Sequence, residues 1–244
     1  MFSPNRFYTR RPASGFNPSS IASEVWLDAR NATYLATVLT AIPNSGAAGG
    51  TPSIVGVINA GATLGGMPTM RIDATSKQIN LSQPAWGAGG TMWAFWYGAC
   101  LSASGDRGII GKGWPGAAGG GAIAAYQGTG GGTSVFFGNG CCSVDATTQP
   151  CFSRANVIGD TAEHAIYMLW DAGGNAVYVD GSSLSIAGTT FPAAVPNYGA
   201  TTWNYGVAQS GAESINSDCG VWMTGKTALT GTEITNLTNF YMNL

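Results

Sequence analysis

Short apolar runs, each closed by glycine, proline or serine, succeed one another along most of the chain. No other feature limits the fold as strongly. The runs are VWLD (25–28), IVGVI (54–58), TMRID (69–73), KQINL (77–81), TMWAFWYGACL (91–101), RGIIG (107–111), AIAAYQ (122–127), SVFFG (134–138), HAIYMLWD (164–171) and AVYVDG (176–181). They are rich in β-branched and aromatic residues, and turn signals separate them at strand-like intervals. The spacing predicts an all-β chain, an antiparallel β-sandwich or jelly roll, built as one domain because such folds commonly reach this length. TMWAFWYGACL is the longest run, and its unbroken apolarity predicts a central strand buried on both faces. The Ala-Gly-Gly-Asn between HAIYMLWD and AVYVDG predicts a tight hairpin. The Ala/Thr-rich stretch up to Pro43 is not assigned to a type.

A single helix is expected at the end. Thr230-Gly-Thr-Glu233 reads as a capping box, and Ile234, Leu237, Phe240 and Tyr241 form one apolar stripe after it. At the other end, residues 1–22 differ from the rest: Arg6, Arg10 and Arg11 stand among prolines and scattered aromatics, with no acid before Glu24. The segment is read as an extended N-terminal arm, and residues 23–244 as the domain. Such an arm either folds back on its own domain or lodges in another subunit; in the second case Arg6, Phe7, Tyr8, Arg10 and Arg11 are the candidate partner contacts, the guanidinium groups meeting carboxylates and the rings buried on that subunit.

Charge removes several functions. Charged residues make up 9% of the chain, with a formal net charge of -2, against a usual share of about 25%. So few Lys and Arg do not suit a general nucleic-acid binder. No run reaches the ~18 apolar residues of a membrane span, and the N-terminus lacks the apolar stretch of a secretory signal. Cys100, Cys141, Cys142, Cys151 and Cys219 are odd in number, which argues against a complete disulfide framework. Free or partly paired thiols are expected, with Cys141–Cys151 the bridge if one forms. Their spacing is not a zinc spacing, and His164 alone cannot complete such a site.

The segment from residue 164 onward resembles the laminin-G-like, concanavalin A-like jelly rolls found in viral and bacterial surface proteins, bacteriophage virion proteins among them. The resemblance rests on His164-Ala-Ile-Tyr-Met-Leu-Trp-Asp171, a turn, and Ala176-Val-Tyr-Val-Asp-Gly181, which look like that family's central hairpin. Leu229-Thr-Gly-Thr-Glu-Ile-Thr-Asn-Leu237 is similar to its closing segment. Met70-Arg-Ile-Asp73, Ile79-Asn-Leu81, Thr91-Met-Trp-Ala-Phe-Trp96 and Gly108-Ile-Ile-Gly111 fit the same order. Cys219-Gly-Val-Trp-Met departs from the acidic, Ile-rich strand usual before the last helix. The resemblance implies two antiparallel sheets with a curved face, of a kind often used to bind glycans or proteins.

Catalysis is not expected. A retaining glycosidase needs carboxyls about 5 Å apart, and no predicted strand carries acids at i and i+2 or i+4. Asp160 and Glu163 read as a solvated turn, and His164 as a packing residue. Asp28, Asp73, Asp171 and Asp180 each close a strand, which suits turn hydrogen bonding. No cofactor and no metal are expected; a calcium ion would have to draw on Asp106, Asp145 or Asp218, which form no dense cluster. For a ligand, Trp114 and Trp203 sit in loop-like surroundings where an indole face could stack on a sugar, with Asn204 or Tyr205 bonding its hydroxyls. The competing reading has both indoles plugging loops against the sandwich. The sequons at Asn31, Asn80 and Asn236 carry no expectation without a secretory signal.

These features lead to a non-enzymatic virion protein, a capsid decoration, fibre or spike component of a bacteriophage. The arm would anchor it to other virion proteins of capsid or tail, in a closed homo-oligomer such as a trimer. The alternative is a carbohydrate-binding module for attachment to a host glycan.

Overall fold

The computed structural model describes residues 15–74, 76–83, 90–101, 110–112, 121–127, 134–139, 151–155, 161–171, 174, 176–183, 201–206 and 215–242. In chain order the first strands are β1 (Val25–Asp28), β2 (Thr33–Leu35), β3 (Val38–Ala41), β4 (Ser53–Val55), β5 (Asn59–Ala60), β6 (Met70–Ile72), β7 (Gln78–Gln83), β8 (Met92–Cys100) and β9 (Ile110–Lys112). There follow β10 (Gly121–Gln127), β11 (Ser134–Asn139), β12 (Cys151–Ala155), β13 (Glu163–Trp170), β14 (Ala176–Val179), β15 (Ser182–Ser183), β16 (Thr201–Tyr205), β17 (Ser217–Gly225) and the helix α1 (Gly231–Met242).

The strands form two antiparallel sheets. One has ten strands in the order β15-β14-β13-β8-β17-β6-β5-β3-β2, with β1 also on β17. The other has seven, in the order β12-β11-β10-β9-β16-β7-β4. The expected antiparallel sandwich with a closing helix is therefore what the chain forms. Adjacent strands β13 and β14 pair directly across the predicted hairpin. IVGVI is not one strand: Gly56 adopts a positive φ of 73°, which ends β4 in one sheet and sends the chain to β5 in the other. The Ala/Thr-rich stretch becomes the short strands β2 and β3.

Two cores stack on the ten-stranded sheet. Alternate residues of its central strands point inward, where Met92, Ala94, Trp96, Cys219 and Trp222 meet Ile79, Leu81, Trp203 and Tyr205 of the second sheet. The intervening residues, Trp93, Phe95, Tyr97, Val221 and Met223, point outward and are covered by Ile234, Leu237 and Tyr241 of α1 and by Ile21. Both β8 and β17 are consequently buried along their entire length. The segment Cys219-Gly-Val-Trp-Met, which departs from the family pattern, thus has no water-facing side that an acid could occupy.

Glycines inside these strands make room for rings rather than turns. A Cβ added at Gly225 would lie 2.5 Å from the Trp93 indole, and one at Gly98 would lie 2.6 Å from the Trp96 ring. Gly225 is the direct cross-strand partner of Trp93, so the indole lies over bare backbone, an arrangement by which an aromatic covers a strand glycine. Burial raises the pKa of Tyr97, Tyr167, Tyr205 and Tyr241 above the ordinary tyrosine value, so these phenols stay neutral in the folded chain.

The helix is fixed at both ends. The capping box is present as predicted: the Glu233 N–H donates to Thr230 Oγ1 at 3.2 Å, and the Thr230 N–H donates to Glu233 Oε2 at 2.7 Å. At the far end Trp26 Nε1 donates to the Tyr241 hydroxyl at 3.0 Å, which donates to Asp28 at 3.1 Å. Arg30 pairs with Asp28 and lies 4.6 Å from the Phe240 ring centroid, placing a cation beside the helix C-terminus, where the backbone dipole favours it. Burial works against the Arg30 charge, but the hydrogen bond and the charge of Asp28 outweigh it and raise its pKa.

The inner end of the arm belongs to the body. Phe16 meets Phe240 edge-on at 6.1 Å, Ile21 is buried in the outer core, and the buried Pro18 opens a one-turn 3-10 helix, Pro18–Ser20. Arg6, Phe7, Tyr8, Arg10 and Arg11 lie outside the described residues. Removing residues 2–22 should lower the unfolding midpoint by several degrees, at about 2–4 °C per kcal/mol lost, as read by differential scanning calorimetry. Gly225→Ala is expected to cost about 1–3 kcal/mol in urea unfolding. Gly231→Ala, which meets nothing within 4 Å, should stay within ~0.5 kcal/mol of the parent.

Candidate functional site

The outer face of the seven-stranded sheet carries an ordered set of amides and hydroxyls. It follows from alternation along two strands. In β7, Ile79 and Leu81 are buried in the inner core, so Gln78, Asn80 and Ser82 take the opposite face. In β16, Trp203 and Tyr205 are buried, so Thr202 and Asn204 point outward. The register then aligns them. Asn204 lies opposite Asn80, Thr202 opposite Ser82, and Ser53 of β4 opposite Asn80 from the other side. Asn204 also faces Gly111 of β9. One row thus runs Ser53, Asn80, Asn204, Gly111 across four adjacent strands, ending where the backbone carries no side chain.

Ser82 and Thr202 are exposed, while Gln78, Asn80 and Asn204 are half-buried. Gln78 Oε1 and Asn80 Oδ1 are shielded, with no hydrogen-bond partner. An amide offers a carbonyl acceptor and two N–H donors. Side by side, such groups provide both kinds of hydrogen bond within a few ångströms.

The sequence-derived ligand residues divide. Asn204 lies on this face. Trp203 and Tyr205 do not: both are fully buried strand residues, and the Tyr205 ring meets Trp222 edge-on at 6.2 Å. An indole with no exposed face cannot stack on a sugar, so the expected stacking role of Trp203 is corrected, as is hydroxyl recognition by Tyr205. The loop-like reading of Thr-Thr-Trp-Asn-Tyr also gives way to a strand. Alternating β-formers were the signal for it. Gln-Ile-Asn-Leu-Ser carried the same signal for Gln78, Asn80 and Ser82, none of which was singled out as a ligand residue. Trp114 lies outside the described residues.

The acidic residues are engaged elsewhere. Asp218 is buried and receives two hydrogen bonds from Arg71, Nε to Oδ1 and Nη2 to Oδ2, both 2.8 Å, with a third from the Ala62 N–H at 3.0 Å. Both Asp218 oxygens are thus held by donors of the protein itself. Asp106 and Asp145 lie outside the described residues. Glu163 accepts from the Tyr97 hydroxyl at 2.8 Å, and Asp180 lies 2.8 Å from Nδ1 of His164 and accepts from the Ala165 N–H. Among the described residues no three of His, Cys, Asp and Glu gather as a metal set. Cys100 and Cys219 are buried thiols outside any disulfide, and burial pushes the Cys219 thiol well above the usual range. Cys141 and Cys142 lie outside the described residues.

No family model matches the sequence, and no curated protein matches it either. Solved structures do match in fold. Domain 4 of an extracellular GH43 arabinanase from Geobacillus stearothermophilus, in complex with arabinotriose, superposes with a TM-score of 0.63 at 15% identity, covering 88% of this chain and 98% of that one. A botulinum neurotoxin type C structure described by its interaction with two ganglioside molecules gives 0.59 at 10% identity, with 90% of this chain and 51% of that one. The botulinum neurotoxin DC binding domain in complex with rat synaptotagmin II gives 0.59 at 9% identity, covering 92% and 52%. This chain therefore spans about half the length of the neurotoxin structures. At such identities the likeness establishes the fold, a β-sandwich. Arg71→Met strands the buried Asp218 carboxylate. It should destabilise the chain by less than the ~3–5 kcal/mol of a fully buried pair, because Arg71 is 38% exposed; urea unfolding measures the difference.

Proposed function

We propose that this chain is a carbohydrate-binding domain that receives its ligand on the outer face of the seven-stranded sheet. One observation carries the proposal: Ser53, Asn80 and Asn204 stand in register across adjacent strands on the outer face of the sheet, flanked by Gln78, Ser82 and Thr202. A sugar hydroxyl both donates and accepts a hydrogen bond, and the side-chain amides and hydroxyls of this row include both kinds of group. Gly111 at the end of the row lets a ring approach the backbone closely. The arabinotriose complex and the ganglioside-interacting neurotoxin named above support the reading by fold.

Carriage on a virus particle is a separate proposal. It rests on the neutral composition and on Arg6, Phe7, Tyr8, Arg10 and Arg11 of the arm meeting capsid or tail proteins in a homo-oligomer. None of the similar structures named above is a virion protein, so the recognition role is the one the comparisons favour.

The test is a glycan array followed by calorimetric titration of the hits. Asn80→Ala and Asn204→Ala should each weaken binding by about fivefold, the worth of one neutral hydrogen bond of ~1 kcal/mol. Thr235→Ala, exposed on α1 at the far side of the other sheet, should leave it unchanged. A chain that retains its circular dichroism and binds no glycan on the array would overturn the proposal.

A further inference from the structure

Resting on that reading, we infer that the ligand is a neutral oligosaccharide, and that the site discriminates against sialylated, uronate and sulfated glycans. The first observation is the composition of the face. Ser53, Val55, Gln78, Asn80, Ser82, Thr202 and Asn204 include no ionisable group. Among the described side chains of this face, an acidic sugar would bring a carboxylate or sulfate into a half-buried setting with no cation beside it. Shedding the water around such a group without a partner costs far more than shedding that of a hydroxyl.

The second observation concerns the supply of cations. Arg30 is paired with Asp28, Arg71 with Asp218, Lys77 with Asp73 and Lys226 with Glu24. Every Lys or Arg whose side chain is described is thus already matched to a carboxylate. Lys77 directly precedes Gln78, yet its Nζ lies 2.6 Å from Asp73. To serve an acidic ligand it would have to abandon that partner. Neutral amide recognition needs no such exchange.

The third observation is the length of the row. Three strand-to-strand steps separate Ser53 from Gly111, and at ~4.8 Å per step they span about 14 Å. That distance takes an oligosaccharide lying across the strands rather than a single ring. The hydroxyls of Ser53, Ser82 and Thr202, which are exposed, both donate and accept, as the hydroxyls of a neutral sugar do.

The experiment uses the full chain and three probe sets: neutral pentose and hexose oligosaccharides, sialylated oligosaccharides, and uronate or sulfated ones. Affinity is measured at about 0.01 M and about 1 M salt, across which the screening length falls from ~30 Å to ~3 Å. The inference expects binding to the neutral set alone, with an affinity that changes by less than about twofold between the two salts, and loss of that binding in the double variant Asn80→Ala, Asn204→Ala. Asn204→Ser, which keeps a hydroxyl, should retain part of it and serves if the double variant does not fold. Tighter binding of an acidic set, weakened several-fold by salt and still lost with Asn80 and Asn204, would overturn the inference and leave the glycan-binding reading standing. Failure of every set to bind would overturn both.

Discussion

The whole architecture depends on two adjacent strands having no side that faces water. β8 and β17 lie together in the middle of the ten-stranded sheet, and both are buried end to end. Each must be covered twice. The seven-stranded sheet covers the inner face, and α1 with residues 16–21 covers the outer one. Trp93, Trp96 and Trp222 on these strands are fully buried, and rings of this size bury about 150–250 Å² each. Such strands can neither stand at an edge nor serve an open sandwich face. Their neighbours are therefore constrained, and so is the position of the helix. Gly98 and Gly225 complete the arrangement, since a Cβ at either position would occupy space the indoles use.

A second constraint is electrostatic. The chain has only 22 charged residues in 244, and those described in its core serve as joints. Asp28 and Arg30 bind the end of α1 to β1, and Asp218 with Arg71 ties β17 to β6 beside the loop at Ala62. Charges used in this way are not available to a ligand. The described side chains of β7 and β16 on the outer face of the other sheet are amides and hydroxyls, whose hydrogen bonds do not decay with salt as surface ion pairs do.

Much of this was legible in the residues themselves. VWLD, TMWAFWYGACL and AVYVDG announce strands through runs of apolar, β-branched and aromatic side chains, and Thr230 to Glu233 announces the helix through its cap. These signals are local: each depends on neighbours within a turn or along a strand. The site was only half legible. Thr-Thr-Trp-Asn-Tyr showed that something polar and aromatic occurs together, but a tryptophan near an asparagine looks the same whether it faces a ligand or a core. Asn204 kept its place on the face; Trp203 and Tyr205 lost theirs once β16 was paired between β7 and β9. The boundary of the arm was likewise hidden, because Phe16 and Ile21 are recognisable as core only when Phe240 and the outer face of β8 are present.

The sequence by itself determined the class of fold, the central buried strand, the capped helix and the neutrality of the surface, all of which follow from residue type and short-range spacing. Only the tertiary structure decided which face each alternating residue takes. It also decided that Ser53, Asn80 and Asn204 form a single row, and that each described cation already has its carboxylate. These are contacts between segments far apart in the chain. Pairing register, which fixes them, is set by how two sheets and a helix bury their apolar sides together.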